Sequence, residues 1–527
     1  MFTEEQIRTL SKFMTNTDKP IFALKNLPEV VKGAMFSRYS RTSKSLRELL
    51  LSEFLQNQDI STMDLEGIPT KKAEEFYDRV LVEYGDDSVA ELGGAHIACE
   101  GVSMIATKIL EDARIGLSPL EKSTRYVFFN EKEDGRYKFC REPSIMSSEF
   151  AGLYEETCNM LFDMYSELIE PMKAYIISIF SKPYDMTDRA YDFTVRAKAC
   201  DVLRVFLPAS TLTNMGIYGN GRAFEYLITK MYASPMQEIR DIAKSMQEEL
   251  GKIIPSFVKR ADDAYGRTMQ EYMKQTEIST RLLVSSFAKS NGREGEEVIL
   301  AGFDKNAGEK IVAAILYSHS QISMTEALQL SSSMSAEDKA KMLEEYTGRR
   351  SNRRHRPGRA FENAYYTFDI MGNYGIYRDL HRHRALTQQR QLLTAELGYD
   401  IPKELAAIGA AEKYHAAMRK AKEAWEKISA SMPWQAQYVV PFGYRIRWYF
   451  TLNARELYHL VELRTVKQGH PDYRRMCQKM FMLAKAAHPM VFKNMKFVDM
   501  NDYEMQRDEA EKRIDRKMEE ARKKYGE

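Results

Sequence analysis

The sequence predicts a helix-rich α+β protein built from two tandem homologous modules, with a mixed sheet in each. At 527 residues the chain is longer than one ordinary hydrophobic core requires. Amphipathic, helix-period stretches dominate, and strand-like runs are few. Short sequence patterns also recur in the same order along the chain, which is the mark of an internal repeat. A hydrophobic content of 44% and an aromatic content of 11% are typical of folded rather than disordered proteins.

The repeat defines the predicted modules. Lys25-Asn26 recurs as Lys305-Asn306, 280 residues later, and Pro208–Met231 corresponds without a gap to Pro441–Arg464, 233 residues later. The remaining correspondences are Ser40 with Ser320, Glu91 with Glu362, Asn220 with Asn453, and Arg222 with Arg455. We therefore expect homologous modules at residues 20–265 and 295–503. A charged helical tail, residues 504–527, follows them.

The elements follow from local patterns. A turn at Asp134-Gly135 between two aromatic runs predicts a hairpin over residues 126–140. The apolar run at 89–110 predicts a helix or a helix–strand pair, and 292–297 a polar linker. Amphipathic spacing predicts helices at residues 4–14, 28–37, 43–56, 71–84, 149–180, 191–207, 220–230, 236–250 and 403–428.

Charge and composition exclude several classes of protein. A formal net charge of +2 gives no overall basic field, which argues against nucleic acid as a partner. The acidic start and the lack of a long apolar run predict neither a signal peptide nor a membrane span. The cysteines are few and dispersed, as expected in a reducing compartment and not in a metal or disulfide framework. We expect a cytoplasmic protein without a metal site.

The candidate chemistry lies in two different segments, one in each module. Arg382, His383 and Arg384 follow the aromatic run 361–377 in the second module. Guanidinium groups suit phosphates and carboxylates, so a phosphate-bearing ligand is expected there, although such a run also occurs on solvated helix faces. The first module lacks this triplet. It carries instead Glu121, Ser123 and Arg125, followed by Tyr126.

Together these segments resemble the signature of the flavin-dependent thymidylate synthases, in which R-H-R is followed by E-x-S-x-R-Y. The chain looks like a fused tandem copy of that family with the signature split between modules. The segment from Asn453-Ala454-Arg455 to Arg464 is similar to another family motif, and Glu362 stands at the spacing expected of the family's acid. Met231 occupies the place of Arg464 in the first module, so one composite site per pair of modules is implied.

The resemblance implies roles for these residues. Arg382, His383, Arg384, Asn453 and Arg455 would bind the FAD cofactor. Substrate contacts would come from Glu121, Ser123, Arg125 and Arg464. Arg464 is also the expected catalytic residue, as the cation that stabilises negative charge developing on the pyrimidine. The implied thiol-free scheme needs no cysteine nucleophile.

The implied reaction converts dUMP to dTMP with methylenetetrahydrofolate and NADPH as co-substrates. Two alternatives stay open. One is a related flavin-dependent pyrimidine-nucleotide hydroxymethylase, and the other is a catalytically inactive nucleotide- or RNA-binding descendant. The resemblance also implies a homodimer that forms a pseudo-tetramer.

An arginine-rich loop at residues 349–359 stands apart from these motifs. It contains six arginines but no aromatic residue on which a base could stack. We expect it to hold the anionic FAD or the polyglutamyl tail of a folate, with nucleic acid as the weaker alternative.

Overall fold

The computed structural model describes residues 2–55, 90–288 and 295–526. The predicted helix at 71–84 and residues 292–294 of the predicted linker lie outside the described residues. The first module contains a three-stranded sheet in the order β1-β5-β2 and a small hairpin, β3-β4. These strands are β1 Gly94–Ser103, β2 Leu117–Glu121, β3 Lys132–Glu133, β4 Arg136–Tyr137 and β5 Leu212–Asn220.

The second module contains a four-stranded sheet in the order β6-β7-β9-β8. Its strands are β6 Val298–Phe303, β7 Tyr365–Asn373, β8 Leu386–Arg390 and β9 Arg445–Asn453. β9 repeats β5 at the 233-residue spacing found in the sequence. The pairing repeats as well, because Gly94 lies opposite Asn220 in the first sheet and Tyr365 lies opposite Asn453 in the second. The two-module α+β prediction is therefore confirmed.

The prediction of a mixed sheet is wrong. Every strand pair in the described residues is antiparallel, because the chain reverses direction between each strand and its neighbour. The short hairpin turns at Asp134-Gly135 as predicted, with a positive φ at both residues. Residues 18–23, which the repeat aligns with β6, do not join the first sheet.

Helices make up most of the remaining ordered chain, and none of those described is both long and apolar enough to cross a bilayer. The helices are Glu4–Phe13, Glu29–Tyr39, Leu46–Leu49, Met104–Glu111, Pro143–Met146, Ala151–Glu167, Ile169–Ile179, Asp188–Leu203, Gly221–Tyr232, Gln237–Leu250, Pro255–Val258, Ala264–Phe287, Ala307–Ser318, Met324–Ser333, Ala336–Thr347, Tyr374–Leu380, Lys403–Ala407, Ala411–Ser429, Ala454–Arg464, Pro471–Ala487 and Asp508–Tyr525.

Two predicted long helices are each divided in two. The segment 149–180 breaks at Leu168, because the ring of Pro171 cannot follow a continuous helical turn. The segment 403–428 breaks before Ala411, where Gly409 adopts φ +69°, a conformation that ends a helix.

The two modules join through equivalent residues. Pro208 and Pro441, which the repeat aligns with each other, form an antiparallel bridge. Backbone bonds continue on either side, with Ala209 N donating to Val440 O at 2.9 Å and Phe442 N donating to Leu207 O at 2.9 Å. The modules thus meet across a pseudo-twofold axis. The side chains of the candidate site lie on both sides of that junction.

Candidate active site at the junction of the two modules

The Arg382-His383-Arg384 triplet lies in the turn between the helix Tyr374–Leu380 and β8. Asn373 fixes the start of that helix, because its side-chain oxygen accepts a hydrogen bond from Ile376 N at 3.0 Å. His383 is buried, whereas the residues on either side of it reach the surface. The turn therefore aims its two arginines and its histidine in different directions.

Arg384 crosses the junction to the first module. Its Nη1 donates to Leu117 O at 2.6 Å and to Ser118 Oγ at 3.3 Å, both on β2. Arg378, one turn before the triplet, forms a buried ion pair with Glu121 at the end of the same strand. The two parts of the split motif therefore meet within a single chain.

Glu121 is enclosed by this junction. Besides Arg378, its carboxylate accepts from Lys108 Nζ at 3.0 Å and from Thr107 Oγ1 at 3.2 Å. Burial alone would raise the pKa of Glu121, but Arg378 and Lys108 together lower it below the ordinary value. A direct contact with a nucleotide would require one of these bonds to open, so Glu121 acts first as the anchor between modules.

A second buried network continues the junction. His381 contacts Glu111 Oε2 through Nδ1 at 3.2 Å and Asp112 Oδ1 through Nε2 at 2.8 Å. Arg390 donates two bonds to Asp112, at 2.8 and 3.0 Å. Burial opposes ionisation of Glu111, but Lys108 and the hydrogen bond to His381 outweigh it and lower its pKa to about 2.

This network predicts a loss of stability in acid. A carboxyl whose pKa is lowered by folding stabilises the folded state above its ordinary pKa, and that contribution disappears as the pH falls toward the folded value. We expect Glu111 to contribute roughly 3 kcal/mol that is lost between about pH 4.5 and pH 2. Urea unfolding at several pH values measures it. Glu111→Gln should show a shallower dependence than the wild type and than Glu131→Gln, whose carboxyl is exposed. Equal slopes for Glu111→Gln and the wild type would contradict the assignment.

Arg125 and Arg464 converge on Tyr473. Arg125 Nη1 donates to Tyr473 Oη at 3.2 Å, and the guanidinium of Arg464 lies 5.8 Å from the centre of the Tyr473 ring. Arg125 also donates two bonds to Asp201, at 2.6 and 2.7 Å. Burial raises the pKa of Asp201, but Arg125 reverses that effect and holds it below the ordinary value. Ser123 supports this corner, since its Oγ accepts from Arg125 N at 3.2 Å.

A hydrogen-bond relay orients Arg464. Its Nε donates to His383 Nε2 at 2.9 Å, and His383 Nδ1 lies 2.8 Å from Glu456 Oε1. Because an arginine can only donate, Nε2 must accept and the single ring proton must lie on Nδ1, where Glu456 accepts it. Burial and then the nearby Arg464 lower the pKa of His383 well below its ordinary value, which keeps the ring neutral.

The same region offers three metal-ligand atoms, from His383, Glu456 and His459, within 4.8 Å of one another. Both nitrogens of His383 are engaged in the relay, and Arg356 Nη2 lies 3.3 Å from His459 Nε2. The two guanidiniums bonded to these histidines, those of Arg464 and Arg356, repel a divalent cation. We interpret these residues as a hydrogen-bonded cluster rather than a metal centre.

Asn453 and Arg455 have the same local roles as their counterparts in the first module. Asn453 caps its helix by accepting from Glu456 N at 2.9 Å, as Asn220 accepts from Ala223 N at 2.8 Å. Arg455 pairs with Glu362 at 3.0 Å, and the aligned Arg222 and Glu91 pair at 2.8 Å. These repeated residues explain helix capping and strand ends in both modules, so they do not distinguish the second module.

The arginine-rich loop is partly structural. Arg350 is buried, donating to Glu462 and to Asn494 O at 2.8 Å. Arg356 instead extends to His459, whose ring lies 5.6 Å from that of His383. Part of the predicted ligand-binding loop therefore forms the core of the module, and part of it borders the relay.

Three guanidiniums at the junction lack a carboxylate contact among the described residues. Arg384 bonds a main-chain oxygen and a hydroxyl, Arg464 bonds a neutral imidazole, and Arg356 bonds His459. Burial lowers the pKa of His459 to about 4, so that ring is also neutral. Cations satisfied only by uncharged partners retain a strong affinity for anions. The donor set therefore fits a phosphate-bearing ligand.

The cysteines are unsuited to nucleophilic chemistry. Burial raises the pKa of every one of the five thiols, which keeps them protonated near neutral pH. No disulfide links them.

Several residues of the junction were not found from the sequence. Tyr473, Asp201 and Glu456 reach it from three separate elements, and only the apposition of the modules brings them together. Glu456 did carry a signal in the repeat. Its aligned residue in the first module is Ala223, just as the residue aligned with Arg464 is Met231. Glu456 and Arg464 are both polar, whereas both aligned residues of the first module are apolar. Two polar residues that are lost together indicate a shared role.

Fold and site together define a tandem two-module protein whose junction carries a cluster of arginines. The chain belongs to the thymidylate synthase complementing protein family, which matches residues 35–256 and 300–490, one region in each half.

The relatives agree with this placement. A UPF0159 protein of Chlamydia muridarum is 44% identical over 97% of this chain and 98% of its own length. A UPF0159 protein of Thermoplasma acidophilum is 36% identical over 92% of this chain and 98% of its own. A flavin-dependent thymidylate synthase of Geobacter sulfurreducens is 28% identical over 25% of this chain and 62% of its own.

Proposed function

We propose that this chain is an FAD-dependent thymidylate synthase that converts dUMP to dTMP with methylenetetrahydrofolate and NADPH. The observation that carries the proposal is the reunion of the split motif, because Arg384 and Arg378 of the second module contact the β2 strand that leads to Ser123 and Arg125. Membership of both halves in one family, and the similarity to the Geobacter sulfurreducens enzyme, support the same class of reaction.

Each residue at the junction then has a role. Arg382 and Arg384, with Arg356 beside them, would hold the diphosphate of FAD, and Ser123 and Arg125 the nucleotide. When bound, FAD supplies the hydride that completes the methyl group.

The relay would keep the Arg464 guanidinium directed at the pyrimidine, where it neutralises charge that develops on a carbonyl oxygen. Asn453 and Arg455 would approach the isoalloxazine edge. Glu121 would hold the end of β2 in place through Arg378. The proposed assembly is a homodimer that forms a pseudo-tetramer, which light scattering measures directly.

Purified protein tests the reaction. We expect bound flavin in the absorption spectrum and oxidation of NADPH that depends on dUMP and on methylenetetrahydrofolate. Mass spectrometry of the product distinguishes dTMP from a hydroxymethylated nucleotide. A protein that binds dUMP without flavin and without turnover would contradict the enzymatic proposal and support a binding protein.

Two substitutions test whether the modules share the site. Arg382→Ala in the second module and Ser123→Ala in the first should each weaken dUMP or FAD binding by about tenfold, since each removes a contact to a charged group. Lys420→Ala, on an exposed helix face, is the matched control. If both variants bound dUMP and FAD as tightly as the control, the shared site would be wrong. Calorimetry measures both affinities.

A further inference from the structure

The charged tail, residues 504–527, forms ion pairs with both modules. Lys467 of the second module contacts Asp508 at 3.1 Å, at the start of the tail helix. In the first module, Arg189 Nε donates to Asp515 Oδ1 at 2.6 Å, two turns further along. The tail lies outside the two regions matched to the family, which end at residue 490. It nevertheless lies beside the junction that holds the candidate site.

Arg507, immediately before the tail helix, lies over a residue of the split motif. Its guanidinium is 4.0 Å from the centre of the Tyr126 ring, next to Arg125 in the chain. Its Nε is buried and has no hydrogen-bond partner. No carboxylate in the described part of the chain forms an ion pair with it. A half-buried guanidinium that contacts only an aromatic face lacks the hydrogen-bond acceptor and the negative charge that usually accompany a buried cation.

The electrostatic surroundings agree with that geometry. Burial, and then the positive charge of Arg125, lower the pKa of Arg507 to about 9, and Glu511 only partly offsets them. Arg125 in turn is paired with Asp201. Two cations close enough to repel each other are stabilised when an anion binds near both.

We propose that Arg507 binds the phosphate of a nucleoside 5′-monophosphate, completing with Ser123 and Arg125 a cradle to which the tail contributes. The inference rests on the proposed function, because the nucleotide is the one that the junction would bind. The tail is then part of the substrate site, and the Tyr126 ring holds the guanidinium in place before the anion arrives.

Calorimetry on the full chain tests this with two ligands, dUMP and deoxyuridine, which differ only in the phosphate. Arg507→Ala should weaken dUMP binding by about 10- to 100-fold, the effect of losing a charged hydrogen bond, and leave deoxyuridine binding unchanged. Arg507→Lys should recover part of the loss. Arg513→Ala, on an exposed part of the same helix and paired only at 3.9 Å with Glu509, is the control.

Three outcomes separate the possibilities. Unchanged dUMP affinity in Arg507→Ala would overturn this inference while leaving the proposed function intact. Equal losses for dUMP and deoxyuridine would also overturn it, because they indicate a disturbed junction rather than a lost phosphate contact. A wild-type protein that binds neither ligand would overturn the proposed function together with the inference.

Discussion

Replacing Arg464 with alanine is expected to lower kcat for dUMP conversion by about 10²- to 10³-fold, the range found when a preorganised donor to a developing oxyanion is removed. The physical reason is the relay. Glu456 and His383 hold Arg464 through its Nε–H, so the side chain is oriented before substrate binds. Steady-state kinetics at saturating dUMP measures the change, and the melting temperature of the variant checks that it folds.

Two companion variants define what the result means. Glu456→Ala copies Ala223 of the first module and removes only the acceptor for His383, so we expect a loss of about tenfold, smaller than that for Arg464→Ala. Arg419→Ala, on an exposed helix face, should retain the wild-type rate. If Arg464→Ala kept a kcat within threefold of the control, Arg464 would not be the catalytic cation.

Replacing Glu121 with alanine is expected to lower the free energy of unfolding by about 3 to 5 kcal/mol, the cost of leaving a buried charge without its partner. Buried Arg378 loses the carboxylate with which it pairs, and Lys108, equally buried, keeps only its ion pair with Glu111. Water cannot replace the lost interaction, because the side chains are almost completely enclosed. Urea unfolding followed by circular dichroism measures the change.

The matched control for Glu121→Ala is Glu131→Ala, ten residues further along and exposed, which should alter stability by less than about 0.5 kcal/mol. Failure of Glu121→Ala to accumulate as folded protein agrees with the prediction. A variant that unfolds at the same urea concentration as Glu131→Ala would show that the junction does not depend on this carboxylate.

The sequence was most informative where the two copies could be compared. The 233-residue spacing that aligned Asn220 with Asn453 also predicts that β5 and β9 occupy the same place. The strand registers agree from Gly94 opposite Asn220 to Cys99 opposite Met215, beyond which the first sheet has a register shift that the second lacks. A hydrophobic or polar pattern that occurs in both copies is less often accidental than one that occurs in a single copy. The same comparison distinguished Arg464 from Met231, because a buried methionine has neither the charge nor the hydrogen-bond donors of a guanidinium.

What the sequence could not predict were the contacts between modules. Arg384 reaches Leu117, and Arg125 reaches Tyr473, across separations of more than 250 residues, and no local pattern encodes either contact. The tail was predicted to be a charged helix, yet nothing in its composition indicated that Arg507 lies over Tyr126. Side-chain partners that depend on how two folded units meet are fixed by packing, not by periodicity.

The bridge between Pro208 and Pro441 has a consequence for how the two copies can diverge. In an assembly of identical chains, every substitution appears in all subunits at once, so a change that spoils one pocket spoils every pocket. Covalent linkage of the halves fixes their stoichiometry at one to one and lets each drift separately. Each half can then lose polar groups that the other retains, so that the first half accepts Ala223 and Met231 while it keeps Ser123 and Arg125.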